Sequence, residues 1–314
     1  MKLFLRITAF WTAVMMLFPA LRKAQEKPKE CEHDYALTIV TELTDVYTSY
    51  FEGEAPFLLD LEAELKCTKC GNTLPTEAIT CDTETIERGT ETLTLKSGEY
   101  ETEIAIKVAP KYRIAFVGDS ITEGSPQTAQ YQFTTYVTKN LKKNVQVTNC
   151  GVGGISVTGY GGIWHDPDWR YIKQDVYNRC VEADPEIVLI MLGSNDSTEW
   201  DKAEASFESE YVILLESLMK DLPDAEIIVV TPPIAEENKL GIKEYNIVNS
   251  IIPTEKKLAE KYGLTVFDMH EFLENREGKT AGLYFDGIHL NPAGAKEFGE
   301  IFTNFLCEYK GIEK

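Results

Sequence analysis

From Lys111 onward the chain repeats one pattern: a short unbroken apolar run, then a longer stretch with apolar residues at helical spacing. The runs cover 111–117, 145–148, 186–192, 226–231 and 264–267, and the helical stretches about 128–142, 168–182, 202–221, 242–261 and 292–309. A strand that is apolar on both faces has to be covered on both faces, which is the burial pattern of a parallel sheet with helices above and below it. Pro185, Pro223 and Gly263 stand just before strands, where a helix must already have ended. Five such strands predict an α/β fold, a flavodoxin-like three-layer α/β/α arrangement with a five-stranded parallel sheet. Ligands in such folds sit beyond the carboxyl ends of the strands, so the residues that directly follow the strands carry the chemical information.

The segment before Pro110 has a different period. Thr92-Leu93-Thr94-Leu95 alternates, Ser97-Gly98 makes a turn, and Tyr100, Thr102, Ile104, Ile106 and Val108 then fall on one face. That is period two around a short hairpin. Phe57–Lys66 and Ala78–Thr85 read as further strands with a Gly71-Asn72 turn between them. Gly53-Glu54, Leu59-Asp60-Leu61, Gly71, Arg88–Leu95 and Ile104–Val108 follow one another in the order found in bacterial immunoglobulin-like domains, and the segment 35–110 resembles one. The resemblance implies a small all-β sandwich that acts as a surface spacer or a weak cell-surface or glycan contact. The alternating strand–helix region would then be a second domain at 111–314, with 25–34 as a linker.

Residues 1–24 read as a signal peptide: Lys2 and Arg6 flank the start, and Ile7–Phe18 is an apolar run too short to span a bilayer. The expectation is therefore a secreted or cell-surface protein, with an uncleaved anchor as the alternative. Asp and Glu number 51 against 31 Lys and Arg, a formal charge of −20. A surface of that sign repels phosphate backbones and anionic lipid, so nucleic acid is excluded as a partner. Export permits disulfides, but seven cysteines (31, 67, 70, 81, 150, 180 and 307) leave at least one unpaired. Cys67-x-x-Cys70-Gly71 is half of a zinc knuckle, but no second close cysteine pair and no histidine at neighbouring spacing completes it. No metal site and no cofactor fingerprint is expected.

Four segments follow the strands. Gly118-Asp119-Ser120-Ile121-Thr122-Glu123-Gly124 places a serine at a strand-to-helix junction, where a helix amino end favours developing negative charge. Asn149-Cys150-Gly151-Val152-Gly153-Gly154 offers bare main-chain N–H groups at a spacing unlike that of a dinucleotide site. Gly193-Ser194-Asn195-Asp196-Ser197 puts an amide donor, or equally a helix cap, at the third strand end. Asp286-Gly287-Ile288-His289-Leu290-Asn291-Pro292 sets a carboxylate three residues from an imidazole, just before a helix capped by Asn291-Pro292. His33, His165 and His270 have no such partner nearby in the chain.

In that order, the four segments resemble the SGNH (GDSL) hydrolase superfamily over Tyr112–Phe305. The resemblance implies Ser120 as nucleophile, His289 as general base and Asp286 as its orienting carboxylate. It implies an oxyanion hole from the Ser120 N–H, the Asn195 side-chain amide and a glycine N–H, by the family's spacing Gly154, with Gly153 as the alternative. The chemistry is consistent without the family: a serine hydroxyl needs an adjacent base, and an ester carbonyl under attack needs preset donors. The expected activity is ester hydrolysis through an acyl-enzyme, most simply on acetylated carbohydrate. Tyr160, Trp164 and Trp169 in the loop 158–169 are candidates for stacking on sugar rings. Lipase, lysophospholipase or thioesterase chemistry is the alternative within the same machinery, and a noncatalytic carbohydrate-binding surface protein is the alternative outside it.

Overall fold

In the structure, a computed structural model, residues 31–141, 144–162, 166 and 168–312 are described. The signal-peptide reading for 1–24 and most of the linker fall outside them. The chain divides into two compact units, one ending at Val108 and the other beginning at Ala109. No helix among the described residues is long and apolar enough to cross a membrane.

The first unit is mainly β, with one short helical turn at Asp45–Thr48; its two three-stranded sheets are antiparallel. Its strands are β1 (Tyr35–Ile39), β2 (Ser49–Phe51), β3 (Ala63–Cys67), β4 (Thr73–Pro75), β5 (Thr80–Cys81), β6 (Thr92–Ser97), β7 (Tyr100–Ala105) and β8 (Lys107–Ala109). They form sheets β1-β3-β4 and β5-β6-β7 and the pair β2-β8. The hairpin of β6 and β7 closes with Ser97 opposite Tyr100, so Gly98 and Glu99 form its two-residue turn. Leu93, Leu95, Ile104 and Ile106 point into a small core with Tyr50, Leu61 and Ile86. The predicted strand 57–66 starts only at Ala63, because Asp60 takes φ +60 and the Leu61 N–H turns back to the Leu58 carbonyl. The predicted strand 78–85 shortens to Thr80–Cys81.

The second unit holds β9 (Tyr112–Gly118), β10 (Val145–Gly151), β11 (Ile187–Met191), β12 (Glu226–Val230) and β13 (Thr265–Phe267). All neighbours are parallel, in the order β10-β9-β11-β12-β13. This is the doubly wound sheet expected from the apolar runs, with its switch point where β9 lies between β10 and β11. The α-helices longer than three residues are α1 (Ser120–Glu123), α2 (Phe133–Leu141), α3 (Asp175–Glu182), α4 (Trp200–Asp221), α5 (Ile252–Tyr262), α6 (Met269–Asn275) and α7 (Pro292–Lys310). The predicted stretch 242–261 is regular only from Ile252. Pro253 has no N–H to give, and the turn before it widens over Ile247–Ile251. The stretch 168–182 is an α-helix only from Asp175.

Phe116 of β9 anchors the core between α2 and α7, edge-on to Phe133 and Phe302 with ring centres 5.3 and 5.2 Å away. Gly299 lets those helices approach, since a Cβ there would lie 2.4 Å from the Tyr136 Cβ. The register positions the site. Gly118 stands opposite Gly151 on one side and Met191 on the other, so β9, β10 and β11 end level. The three turns that follow them leave the sheet from one line.

Candidate active site

The turn after β9 is tight enough to require glycine: a Cβ on Gly118 would fall 2.1 Å from the Thr122 hydroxyl. Asp119 caps α1 by accepting the Ile121 N–H at 2.9 Å, and Ser120 is the first residue of that helix. Gly124, at φ +82, ends it after one turn. Ser120 is thereby fixed at the head of the turn. His289 Nε2 lies 2.8 Å from Ser120 Oγ, and His289 Nδ1 lies 2.7 Å from Asp286 Oδ2. Asp286 Oδ1 also accepts the N–H groups of Ile288 and His289, at 3.2 and 2.8 Å. The structure thus brings together the three residues of the predicted triad from opposite ends of the unit.

Partial burial pushes the Asp286 carboxyl up, but hydrogen bonds from the His289 ring and backbone outweigh it, and the group titrates below its ordinary value. Asp286 therefore stays ionised and holds a proton on Nδ1. That leaves the Nε2 lone pair facing the Ser120 hydroxyl, which donates to it.

Sequence reasoning missed Phe285. Its ring stacks on the His289 imidazole at 5.7 Å and 21°, is 54% exposed, and meets Tyr131 edge-on at 6.3 Å. The only signal for it in the chain is an aromatic immediately before the Asp-x-x-His turn. That turn depends on Gly287, at φ +94, where a Cβ would lie 2.5 Å from the Glu237 carbonyl oxygen. Gly287→Ala is expected to destabilise the protein by roughly 1–3 kcal/mol and to lower kcat as Asp286 and His289 shift. Gly282→Ala is the control, because φ is +78 there but no atom lies within 4 Å. Thermal denaturation and turnover of the two variants compare strain alone with strain plus collision, and equal losses would show that the close approach at Gly287 does not hold the Asp286–His289 turn.

The oxyanion candidates lie on the other two level strand ends. A Cβ on Gly153 would lie 3.9 Å from the Ser120 Cβ, and two residues on, the Ile155 carbonyl accepts the Asn195 amide at 2.9 Å. Gly154, at φ +71, thus sits between the nucleophile's turn and Asn195. The Asn195 amide also faces Asp119 Oδ2 at 3.4 Å, a long contact at the weak end of the hydrogen-bond range. Gly161 and Gly162 hold the loop against this turn: Cβ atoms there would lie 2.2 Å from the Asn195 carbonyl oxygen and 2.3 Å from that of Gly154.

Of the predicted sugar-stacking residues, Tyr160 and Trp169 are partly buried against the main core. Trp164 lies outside the described residues, as does His165. His270 is buried and pairs with Glu244 at 2.6 Å, while the other Glu244 oxygen accepts the Ala235 N–H. That pair fastens the loop after β12.

Three buried acids underlie the site. Burial pushes Asp119 up to about 6, against the pull of the Ile121 N–H. Burial likewise pushes Asp196 up to about 6, against hydrogen bonds from Val157 and Thr158 that tie the 155–158 loop to the end of β11. Glu255 is fully buried, neither of its oxygens has a hydrogen-bond partner, and burial raises it well above its ordinary value. It sits beneath Gly193, 3.2 Å from where a Cβ would be. A folded-state pKa above the unfolded one gives stability that is complete below the unfolded value and is lost as pH rises through the folded value. For Asp119 and Asp196 the loss runs from about pH 4 to about pH 6; for Glu255 it continues higher. Glu255→Gln is expected to stabilise the fold at pH 8, with the gain shrinking as pH falls and vanishing near pH 4. Denaturant titrations across that range check it, and a pH-independent difference between the two proteins would contradict it.

This geometry can be set beside known proteins. The chain matches the acetylxylan esterase of Xylanibacter ruminicola at 28% identity over 219 residues, which is 62% of this chain but only 44% of that protein. The chain thus spans less than half the length of this relative. The fold is similar to that of the aryl esterase of M. smegmatis, at 18% identity and a TM-score of 0.51, covering 64% of this chain and all of that one. It is equally similar to that of a carbohydrate acetylesterase from Sinorhizobium meliloti, at 15% identity and a TM-score of 0.51, covering 63% of this chain and all of that one. Residues 116–297, from the end of β9 into α7, match a single family description and enclose Ser120, Gly154, Asn195, Asp286 and His289; the chain belongs to the GDSL-like lipase/acylhydrolase family.

Proposed function

We propose that the protein is a secreted serine esterase that removes O-acetyl groups from poly- or oligosaccharides. The similarity to an acetylxylan esterase carries the choice of substrate, and the Ser120–His289–Asp286 chain of hydrogen bonds supports the chemistry. Ser120 Oγ attacks the acetyl carbonyl while its proton passes to His289 Nε2. The carbonyl oxygen becomes an oxyanion held by the Ser120 and Gly154 N–H groups and the Asn195 amide. Collapse breaks the ester C–O bond, and the imidazolium returns its proton to the departing sugar oxygen. Water, deprotonated in turn by His289, releases acetate and restores Ser120. The exposed Phe285 ring beside the imidazole offers a flat apolar face of the kind on which a sugar ring stacks. In this reading the N-terminal β unit is an immunoglobulin-like module that contacts glycan or cell surface.

The test is acyl selectivity. Purified protein is expected to hydrolyse p-nitrophenyl acetate with a kcat/KM at least about tenfold above that for the dodecanoate, since each methylene a pocket cannot hold costs a factor of that order or more. It should also release acetate from acetylated xylan. A preference for the long chain would transfer the protein to the lipase reading, and no hydrolysis of either ester would leave the noncatalytic one.

A further inference from the structure

Three cysteines and a histidine that stand far apart in the chain meet at one end of the β1-β3-β4 sheet. β1 runs antiparallel to β3 with Tyr35 opposite Cys67, so the residues just before β1 arrive beside those just after β3. There Cys67-Thr68-Lys69-Cys70-Gly71-Asn72 folds back towards β4. The Gly71 N–H donates to the Cys67 carbonyl at 2.9 Å and the Cys67 N–H to the Asn72 carbonyl at 2.8 Å, with Gly71 at φ +78. The incoming segment is fastened to this knuckle: the Thr68 N–H donates to the Asp34 carbonyl at 2.8 Å and Lys69 Nζ to the Glu32 carbonyl at 2.9 Å.

These bonds bring the ligand atoms of Cys31, His33, Cys67 and Cys70 within 4.8 Å of one another. Cys31 Sγ lies 3.9 Å from Cys67 Sγ, and Cys70 Sγ lies 3.3 Å from His33 Nδ1. A tetrahedral zinc ion with Zn–S near 2.3 Å and Zn–N near 2.0–2.1 Å sets its ligands about 3.8 Å apart for two sulfurs and about 3.5 Å for sulfur and nitrogen. Both observed edges agree with that tetrahedron to about 0.2 Å. A disulfide explains them poorly, because it draws two sulfurs to about 2.05 Å and gives no reason for a third thiol and an imidazole to converge.

We propose that Cys31, His33, Cys67 and Cys70 bind one zinc ion. The set corrects the expectation drawn from the chain alone: the missing half of the knuckle is a Cys-x-His, 34 residues upstream, not a second Cys-x-x-Cys. Four protein ligands close the coordination sphere, so the ion has no position for substrate and its role is structural. Binding requires three thiolates and a neutral imidazole with its Nδ1 lone pair free, so up to three protons are released as the ion enters and the site carries one net negative charge. The ion ties the start of β1 to the β3–β4 turn in a unit whose main buried cluster, among the described residues, is the small set Tyr50, Leu61, Ile86, Leu93, Leu95, Ile104 and Ile106. A small core of this kind gains most from such a clip.

The full-length protein, purified without chelator or reductant from zinc-supplemented medium, is expected to contain one zinc per chain by elemental mass spectrometry. After stripping and reduction it should bind one cobalt(II) with a thiolate-to-metal charge-transfer band and tetrahedral d–d absorption. Cys70→Ser and His33→Ala should lose zinc on dialysis that leaves the parent loaded, whereas Cys81→Ser, in the same unit but outside the cluster, should keep it. A chain without zinc whose Cys67 or Cys70 is found in a disulfide overturns the proposal. So does an octahedral cobalt spectrum, or full zinc retention by Cys70→Ser. Should a variant fail to fold, the cobalt spectrum of the parent decides the matter without it. None of these readouts uses ester turnover, so they stand or fall separately from the hydrolase reading.

Discussion

Ser120→Ala and His289→Ala are each expected to abolish ester hydrolysis in a protein that remains folded, at a cost on the order of 10⁴-fold or more in kcat. The hydroxyl and imidazole are bonded at 2.8 Å and act as a unit, so losing either removes the same step. Neither change disturbs the fold: Ser120 is half-buried at the start of a one-turn helix capped by its neighbour Asp119, and the His289 N–H that Asp286 accepts is backbone. The double variant should be little worse than either single one, whereas additive losses would mean that the two residues serve different steps. Asp286, held below its ordinary range, should remain ionised to lower pH than an ordinary carboxylate, so the orienting partner of His289 is kept there. Circular dichroism beside single-turnover kinetics on p-nitrophenyl acetate gives both readouts. A folded Ser120→Ala protein with near-parental turnover would end the serine mechanism.

Asn195→Ala is expected to lower kcat by about 10²–10³ with little change in KM. A donor aimed at a developing oxyanion contributes to the transition state and hardly to the bound ester. The structure adds a complication that the motif alone hides. One Asn195 N–H is committed to the Ile155 carbonyl at 2.9 Å, so the side chain also ties the turn after β10 to the turn after β11. Asn195→Asp separates the two roles. It nearly preserves the shape but replaces the donor with an acceptor, and should be at least as damaging to kcat as the alanine. Were the role one of bracing alone, the two variants would lose stability and KM together, with kcat largely intact.

The sheet was legible from the chain because unbroken runs such as Ile114–Val117 and Ile187–Leu192 have few other places to go than the middle of a two-sided sheet. The triad was legible for a related reason: residues after level strand ends share one crevice, and Asp286 and His289 are close enough in sequence to share one turn. What lay beyond reach depended on pairings that no local pattern encodes. His33 and Cys31 meet Cys67 and Cys70 only because β1 lies antiparallel to β3. Phe285 becomes a wall of the site only because Asp286 anchors the following turn and folds the imidazole back against the ring. In the first unit, alternation placed the hairpin of β6 and β7 correctly, but the left-handed turn at Asp60 broke a stretch that composition alone reads as extended.

The buried acids beneath Asn195 set the protein's endurance against alkalinity. Raising the pH asks Asp119, Asp196 and Glu255 to surrender protons in a buried setting that disfavours their charge. Endurance would then set the alkaline edge of the working range. At high pH the protein should work quickly and fail early, with half-life rather than initial rate declining first. An organism that met alkaline surroundings could extend that edge by replacing Glu255 alone, without touching a residue that contacts the ester.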